Sequence, residues 1–194
     1  FTYIPHTFPT ITDNDLKNCA YSGNYIVYFG AISKQRRLNE FLSTFSKIGL
    51  SMNFYICGDG DQLNHLKSIY KQSNIIWLGQ VNKQTMAELA VNSLFGIAPY
   101  ELHEGYQDNI PNKIVEYLSY GLPVISNINN SITAFLNQEE KIIFQYQNEI
   151  ELLNILTLKI KSNNLKTKIK KTYDENFSER RFIEKFEKII VSIK

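Results

Sequence analysis

The 194-residue sequence predicts an α/β domain built on a doubly wound parallel sheet, closed by a helical carboxyl-terminal stretch. Three observations carry that expectation. Short apolar, β-branched and aromatic runs alternate with segments of about ten residues whose apolar positions recur at helical spacing. The runs are apolar without alternation, as strands buried on both faces are. No internal repeat, low-complexity tract or Pro/Gly-rich linker interrupts the pattern, so one domain is expected over 25–194, with 1–24 as an interdomain connector.

The first run, Tyr25–Phe29, is a strand ended by Gly30. Leu38, Phe41, Leu42 and Phe45 then follow helical spacing over 38–48. A second strand, Asn53–Cys57, stops at Gly58-Asp59-Gly60-Asp61 and leads into a helix over 62–70. Residues 75–78 form a third strand stopped by Gly79; 85–91 form a short helix; 94–98 form a fourth strand stopped by Pro99. After a loop, a helix over 112–120 is closed by Gly121 as its carboxyl cap. Residues 122–125 and 142–144 are the fifth and sixth strands, and two or three helices follow from about Glu149.

Composition narrows the function classes. Hydrophobic residues at 43 % and charged residues at 21 % describe an ordinary globular chain, and a net charge of +2 is too small to imply a nucleic-acid partner. The lysines cluster only over 159–171. That stretch reads as the wet face of a helix, although its interspersed leucines and isoleucines also suit a basic membrane-facing surface. Cys19 and Cys57 form no C-x-x-C and lie near no histidine pair, so neither a zinc site nor a disulfide framework is expected. Cys57 reads as a buried small hydrophobe. No run of about 20 apolar residues exists to span a membrane. The sequence starts at Phe1 without a signal-peptide pattern and is expected to be a piece of a longer protein.

In such sheets ligands bind outside the carboxyl ends of the strands, where loops open into helix amino termini. The loops that matter therefore start at Gly30, Gly58, Gly79 and Tyr100, and after Ile125. The run from Pro111 through Asn112, Lys113, Glu116, Tyr117 and Gly121 to Pro123-Val124-Ile125 closely resembles the P-x-K-x-x-E-Y-x-x-x-G-x-P-V-I signature of retaining glycosyltransferases of the GT-B fold, in the large family 4 group. Other pieces agree in order and spacing. Gly30 with Arg36 and Arg37 resembles the family's glycine-then-basic loop, and Ile56-Cys57-Gly58-Asp59-Gly60 its glycine turn. Trp77-Leu78-Gly79-Gln80-Val81 and Phe95-Gly96-Ile97-Ala98-Pro99 resemble two further strand ends of the family.

The pattern also has a physical reason. A nucleotide diphosphate is a bulky anion, well held by free N–H groups at a helix amino terminus, where the helix dipole assists. The helix opening near Asn112 supplies such groups, although Pro111 cannot donate one. Glu116 lies about one turn inside that helix, and the resemblance assigns it the ribose hydroxyls. The resemblance places a second carboxylate, for the donor sugar, eight positions earlier, which here is Asp108. Glu104, before Gly105-Tyr106, resembles the family's E-G-F but stands four residues early, so either acid could serve. Arg36 matches the family's phosphate-binding lysine. The arginine the family has directly after the glycine is Ala31 here, leaving Arg37 or Lys113 to compensate. Gln80 is the candidate for holding the base. Arg36, Asp108 and Glu116 are thus the candidate catalytic residues, and Gly30, Arg37, Gln80, Asn112, Lys113 and Glu104 the candidate donor-binding ones.

Other chemistries fit less well. A dinucleotide fingerprint would need glycine where Leu63 stands, and no phosphate loop or Ser/Cys/His constellation is present. His6, His65 and His103 are scattered, and only Tyr106 among the loop tyrosines is a candidate site residue. No metal cluster is visible, so cations of the protein are expected to stabilise the leaving diphosphate. The resemblance implies the donor-binding half of a retaining glycosyltransferase taking a nucleoside diphosphate sugar, with UDP-sugar favoured, and no separate cofactor. A missing amino-terminal domain would bind a saccharide or lipid-linked acceptor. The expected setting is cytoplasmic, with peripheral association of the full protein at the inner membrane face. An epimerase of the same fold and a non-catalytic interaction module docking through 178–194 are the alternatives; the resemblance has the last helix cross back to brace the amino-terminal domain, and Phe182, Phe186 and Ile189 give it an apolar stripe to do so.

Overall fold

Five consecutive buried residues, Tyr25–Phe29, make strand β1, the centre of the sheet. The computed structural model describes residues 21–49, 51–102, 109–158, 163–181, 183, 184 and 187. His6, Cys19, His103, Glu104, Tyr106, Asp108, Phe182, Phe186 and Ile189, with most of the expected connector, lie outside the described residues. The other strands are β2 (Asn53–Cys57), β3 (Ile75–Gly79), β4 (Gly96–Ala98), β5 (Val124–Ser126) and β6 (Ile143–Gln145). They form one sheet in the order β3-β2-β1-β4-β5-β6, every pair parallel.

Alternate β1 residues feed two separate cores, as the two-residue strand period requires. Tyr25, Val27 and Phe29 pack on one face with helices α3 (Lys83–Asn92), α4 (Asn112–Ser119), α5 (Ser131–Leu136) and α7 (Asn163–Asn176). Ile26 and Tyr28 pack on the other with α1 (Leu38–Lys47), α2 (Leu63–Ile69) and α6 (Glu149–Leu156). The doubly wound parallel sheet expected from the sequence is therefore the observed one. Among the described residues no helix is long and apolar enough to cross a membrane.

Two differences from the sequence expectation have local causes. Strand β4 begins at Gly96 rather than 94, although the Leu94 N–H already donates to the Tyr25 carbonyl at 2.9 Å. Helix α5 was not anticipated: at six residues it is too short for an apolar period to show. Its start is nonetheless written in Asn130-Ser-Ile-Thr133, where Asn130 accepts from the Thr133 N–H and the Thr133 hydroxyl accepts from the Asn130 N–H.

The sheet order reverses between β1 and β4, and the strands part there. Val27 N–H donates to the Phe95 carbonyl at 3.0 Å in an ordinary rung. Two residues on, where Phe29 N–H would meet the Ile97 carbonyl, the Tyr117 hydroxyl of α4 stands between them. It accepts from Phe29 N–H at 2.9 Å and donates to the Ile97 carbonyl at 3.2 Å. Its ring lies over Gly96, where a Cβ would come within 2.5–2.7 Å of three ring carbons. Gly96→Ala is therefore expected to lower stability by about 1–3 kcal/mol, because a fully buried ring has nowhere to retreat. Urea denaturation checks this, and an unchanged midpoint would contradict it.

Candidate functional site

Helix α4 is seated by its apolar stripe: Ile114, Val115, Tyr117 and Leu118 are completely buried. The seating aims its amino terminus, Pro111-Asn112-Lys113, at the reversal between β1 and β4. Pro111 is the amino cap and its carbonyl accepts from the Ile114 N–H at 2.9 Å. The N–H groups of Asn112 and Lys113 have no acceptor within a helix by its geometry.

The floor of the site is made of backbone. Beyond the strand ends the ladder continues through the loops: Gly30 N–H donates to the Cys57 carbonyl, Ile32 N–H to the Asp59 carbonyl, and Gly58 N–H to the Gly79 carbonyl, at 2.7–2.9 Å. Gly58 has φ +150°, and a Cβ there would overlap the Gly30 carbonyl oxygen. Gly30 has φ +130°, and a Cβ there would overlap the Lys113 ammonium. Two strand ends and a cation can approach so closely only because both positions lack side chains.

Above this floor lies a cleft of about 430 Å³ lined by Phe29, Gly30, Ala31, Cys57, Gly58, Asp59, Gln80, Val81, Met86, Lys113 and Glu116. Lys113 reaches across it, its ammonium 4.8 Å from the centroid of the Tyr28 ring. Burial lowers its pKa to about 8; the neighbouring Glu116 opposes that shift, and the positive Arg36 adds to it. Glu116 sits one turn further along α4. Burial pushes its carboxyl above the usual range, while Lys113 and Lys83 pull it back. Its carboxylate makes no hydrogen bond among the described residues, leaving acceptor capacity turned to the cleft. Cys57 forms part of the floor and its thiol is pushed up to about 12 by burial, so it is a packing group and not a nucleophile.

The structure brings Gly30, Gln80, Lys113 and Glu116 together in this cleft, with Asn112 exposed at the head of α4. Arg36 lies alongside, in the turn Lys34–Arg36, its guanidinium 4.8 Å from the centroid of the Tyr100 ring. The turn is tied to the loop after β4, since Glu101 N–H donates to the Gln35 carbonyl at 2.8 Å. Arg37 is not in the cleft. It takes a left-handed conformation, φ +45°, pairs with Glu40 at 3.1 Å, and lines a different depression with Asn127 and Tyr146. Sequence reasoning missed Asp59 and Met86 in the lining, and the influence of Lys83. The signal was available for Lys83, which opens α3 just after the Gly79-Gln80-Val81 strand end. Among the described residues no three His, Cys, Asp or Glu side chains converge to hold a metal.

A larger depression of about 690 Å³ lies elsewhere, between α5 and α7, lined mainly by mixed charged residues with Phe135 and Leu136. Strand ends, glycine turns and a helix amino terminus all face the smaller cleft, which is therefore the candidate site.

The family described as Glycosyl transferases group 1 matches residues 23–157, and the chain belongs to it. The fold is that of solved glycosyltransferases. The lipopolysaccharide outer core galactosyltransferase WaaB superposes with a TM-score of 0.72 at 15 % identity, over 99 % of this chain and 55 % of that one. HepE of Anabaena, in complex with UDP and glucose, gives 0.67 at 12 % identity over 87 % and 48 %. A Staphylococcus aureus TarM variant, in complex with fondaparinux, α-GlcNAc-glycerol and UDP, gives 0.65 at 14 % identity over 96 % and 38 %. The chain thus spans 55 % or less of the length of these three structures. No curated protein matches the sequence.

Lys113 carries its charge at an expense to folding. The folded state releases that proton near pH 8, whereas an ordinary lysine holds it to 10.5. The unfolded chain therefore binds more protons between those values, and stability rises with pH across that window. At pH 7, Lys113→Met is expected to stabilise the chain by on the order of 2 kcal/mol, an advantage that shrinks above pH 8. Urea unfolding at pH 7 and 9.5 measures it; a variant less stable than the wild type at pH 7 would sink the assignment.

Proposed function

We propose that this chain is the donor-binding half of a retaining glycosyltransferase that uses a nucleoside diphosphate sugar, most simply a UDP-sugar. The observation that carries the reading is the pairing on α4: an ammonium and a carboxylate one turn apart, facing one cleft at the reversal of strand order. A diphosphate carries the charge for which the Lys113 ammonium and the Asn112 and Lys113 N–H groups have no hydrogen-bond or ion-pair partner among the described residues, and the ribose diol supplies donors for Glu116. UDP in the similar HepE and TarM structures supports this choice of nucleotide.

Each residue then has a task. Lys113 and Arg36 stabilise the negative charge that grows on the diphosphate as the sugar–phosphate bond breaks, being fixed before reaction by the Tyr28 and Tyr100 rings. Lys113, rather than Arg37, replaces the cation missing at Ala31. Gly30 admits the phosphates to the backbone, Asn112 contributes its N–H, and Gln80, exposed at the cleft rim, meets the base. The donor-sugar hydroxyls fall to Asp108 by spacing, with Glu104 as its rival. The acceptor, a saccharide or lipid-linked saccharide, attacks the face the phosphate leaves, so configuration is retained. It is bound by a further domain, without which this half holds the donor weakly and turns over little.

Titration with UDP followed by NMR tests the reading. Resonances of Gly30, Arg36, Lys113 and Glu116 are expected to shift. Affinity is expected to be flat from pH 7 to 7.5, then to fall by up to roughly tenfold per pH unit above 8, as Lys113 loses the proton the diphosphate needs. Unshifted resonances at millimolar nucleotide would overturn it.

A further inference from the structure

The hydroxyl of Tyr120 is the single fully buried side-chain nitrogen or oxygen without a hydrogen-bond partner among the described residues. Tyr120 is 6 % exposed, at the carboxyl cap of α4. A buried hydroxyl left unpaired destabilises a protein, so it calls for a physical reason.

Its position supplies one. Tyr120 follows Glu116 by four residues, so the two side chains share one face of α4, and a helical side chain leans over the turn before its own Cα. The charges that bear on the phenol and push its pKa up beyond the effect of burial are those of Glu116, on its own helix, and Tyr173, on α7 packed against it. Among the described residues, a donor without an acceptor and a carboxylate without a donor thus share one face of α4 one turn apart. The carboxylate has two oxygens and about four acceptor positions, enough for a ribose diol on its cleft side and a phenol beneath. Charge-assisted hydrogen bonds of this kind are the strong ones, and such bonds commonly tighten only in the complex with ligand.

We propose that the Tyr120 hydroxyl is a positioning group for Glu116, donating to its carboxylate from below while that carboxylate accepts the vicinal hydroxyls of a ribose, an assignment that rests on the reading of Glu116 given above. No covalent step is involved. The phenol locks the carboxylate rotamer, so the diol meets two oriented oxygens instead of a freely turning group.

Calorimetric titration of the 194-residue chain with UDP and with 2′,3′-dideoxyuridine diphosphate tests this. The wild type is expected to prefer UDP. Tyr120→Phe is expected to weaken UDP binding roughly tenfold, leave the dideoxy nucleotide unchanged, and hold or raise the thermal midpoint, because an unpaired buried hydroxyl is gone. Tyr173→Phe, which removes the other facing hydroxyl, is expected to leave both affinities alone. A Tyr120→Phe protein that keeps the wild-type ratio, or weakens both nucleotides equally, overturns the positioning role while the ribose reading stands. A wild type that binds the two nucleotides alike overturns both.

Discussion

A single phenolic oxygen, that of Tyr117, decides where this sheet opens. By standing between Phe29 N–H and the Ile97 carbonyl it replaces one direct rung of the β1–β4 ladder with two hydrogen bonds through a side chain. The strands part without leaving a buried backbone group unpaired, which a simple break would not achieve. The same residue anchors α4, so the opening and the helix that fills its mouth are set by one contact. Gly96 is the other half of the arrangement, since any side chain there would occupy the ring's position. Everything proposed for Lys113 and Glu116 follows from that seating.

Charge is the second constraint. The cleft holds a cation that burial disfavours, against a carboxylate that burial also disfavours, and no ion pair within 4 Å relieves them among the described residues. Sites that bind anions commonly keep such tension, because a cation already freed from water interacts more strongly with an arriving phosphate. Neighbouring loops hold the geometry: the buried Asn127 amide pairs with both the N–H and the carbonyl of Tyr100, at 2.9 and 2.7 Å, and Tyr100 supports Arg36. These contacts are local to the carboxyl edge of the sheet, the region where loop conformation sets function.

The strands were legible in the sequence because burial on both faces leaves a continuous apolar run, and Gly30, Gly58 and Gly79 mark their ends. The cleft residues Lys113 and Glu116 were legible because the spacing along α4 is rigid once the helix starts after Pro111. Side-chain direction in the preceding turn was not. Arg36 and Arg37 are adjacent in sequence, yet the left-handed backbone at Arg37 turns it toward Glu40 and away from the cleft. The Arg37-x-x-Glu40 spacing hinted at that pair, but nothing in the sequence showed the sign of φ. Nor could composition show that the Tyr117 hydroxyl, in what reads as a packing residue, would enter a β ladder, since that depends on the absence of a side chain at Gly96, far away in the chain.

The most direct measurement is a crystal structure of the chain grown with UDP. Density for the diphosphate against the Lys113 ammonium and the amino terminus of α4, with the ribose hydroxyls on the Glu116 carboxylate, is the predicted result. Nucleotide bound instead in the depression beside Arg37 and Tyr146, with Lys113 still stacked on Tyr28 and Glu116 untouched, would contradict it.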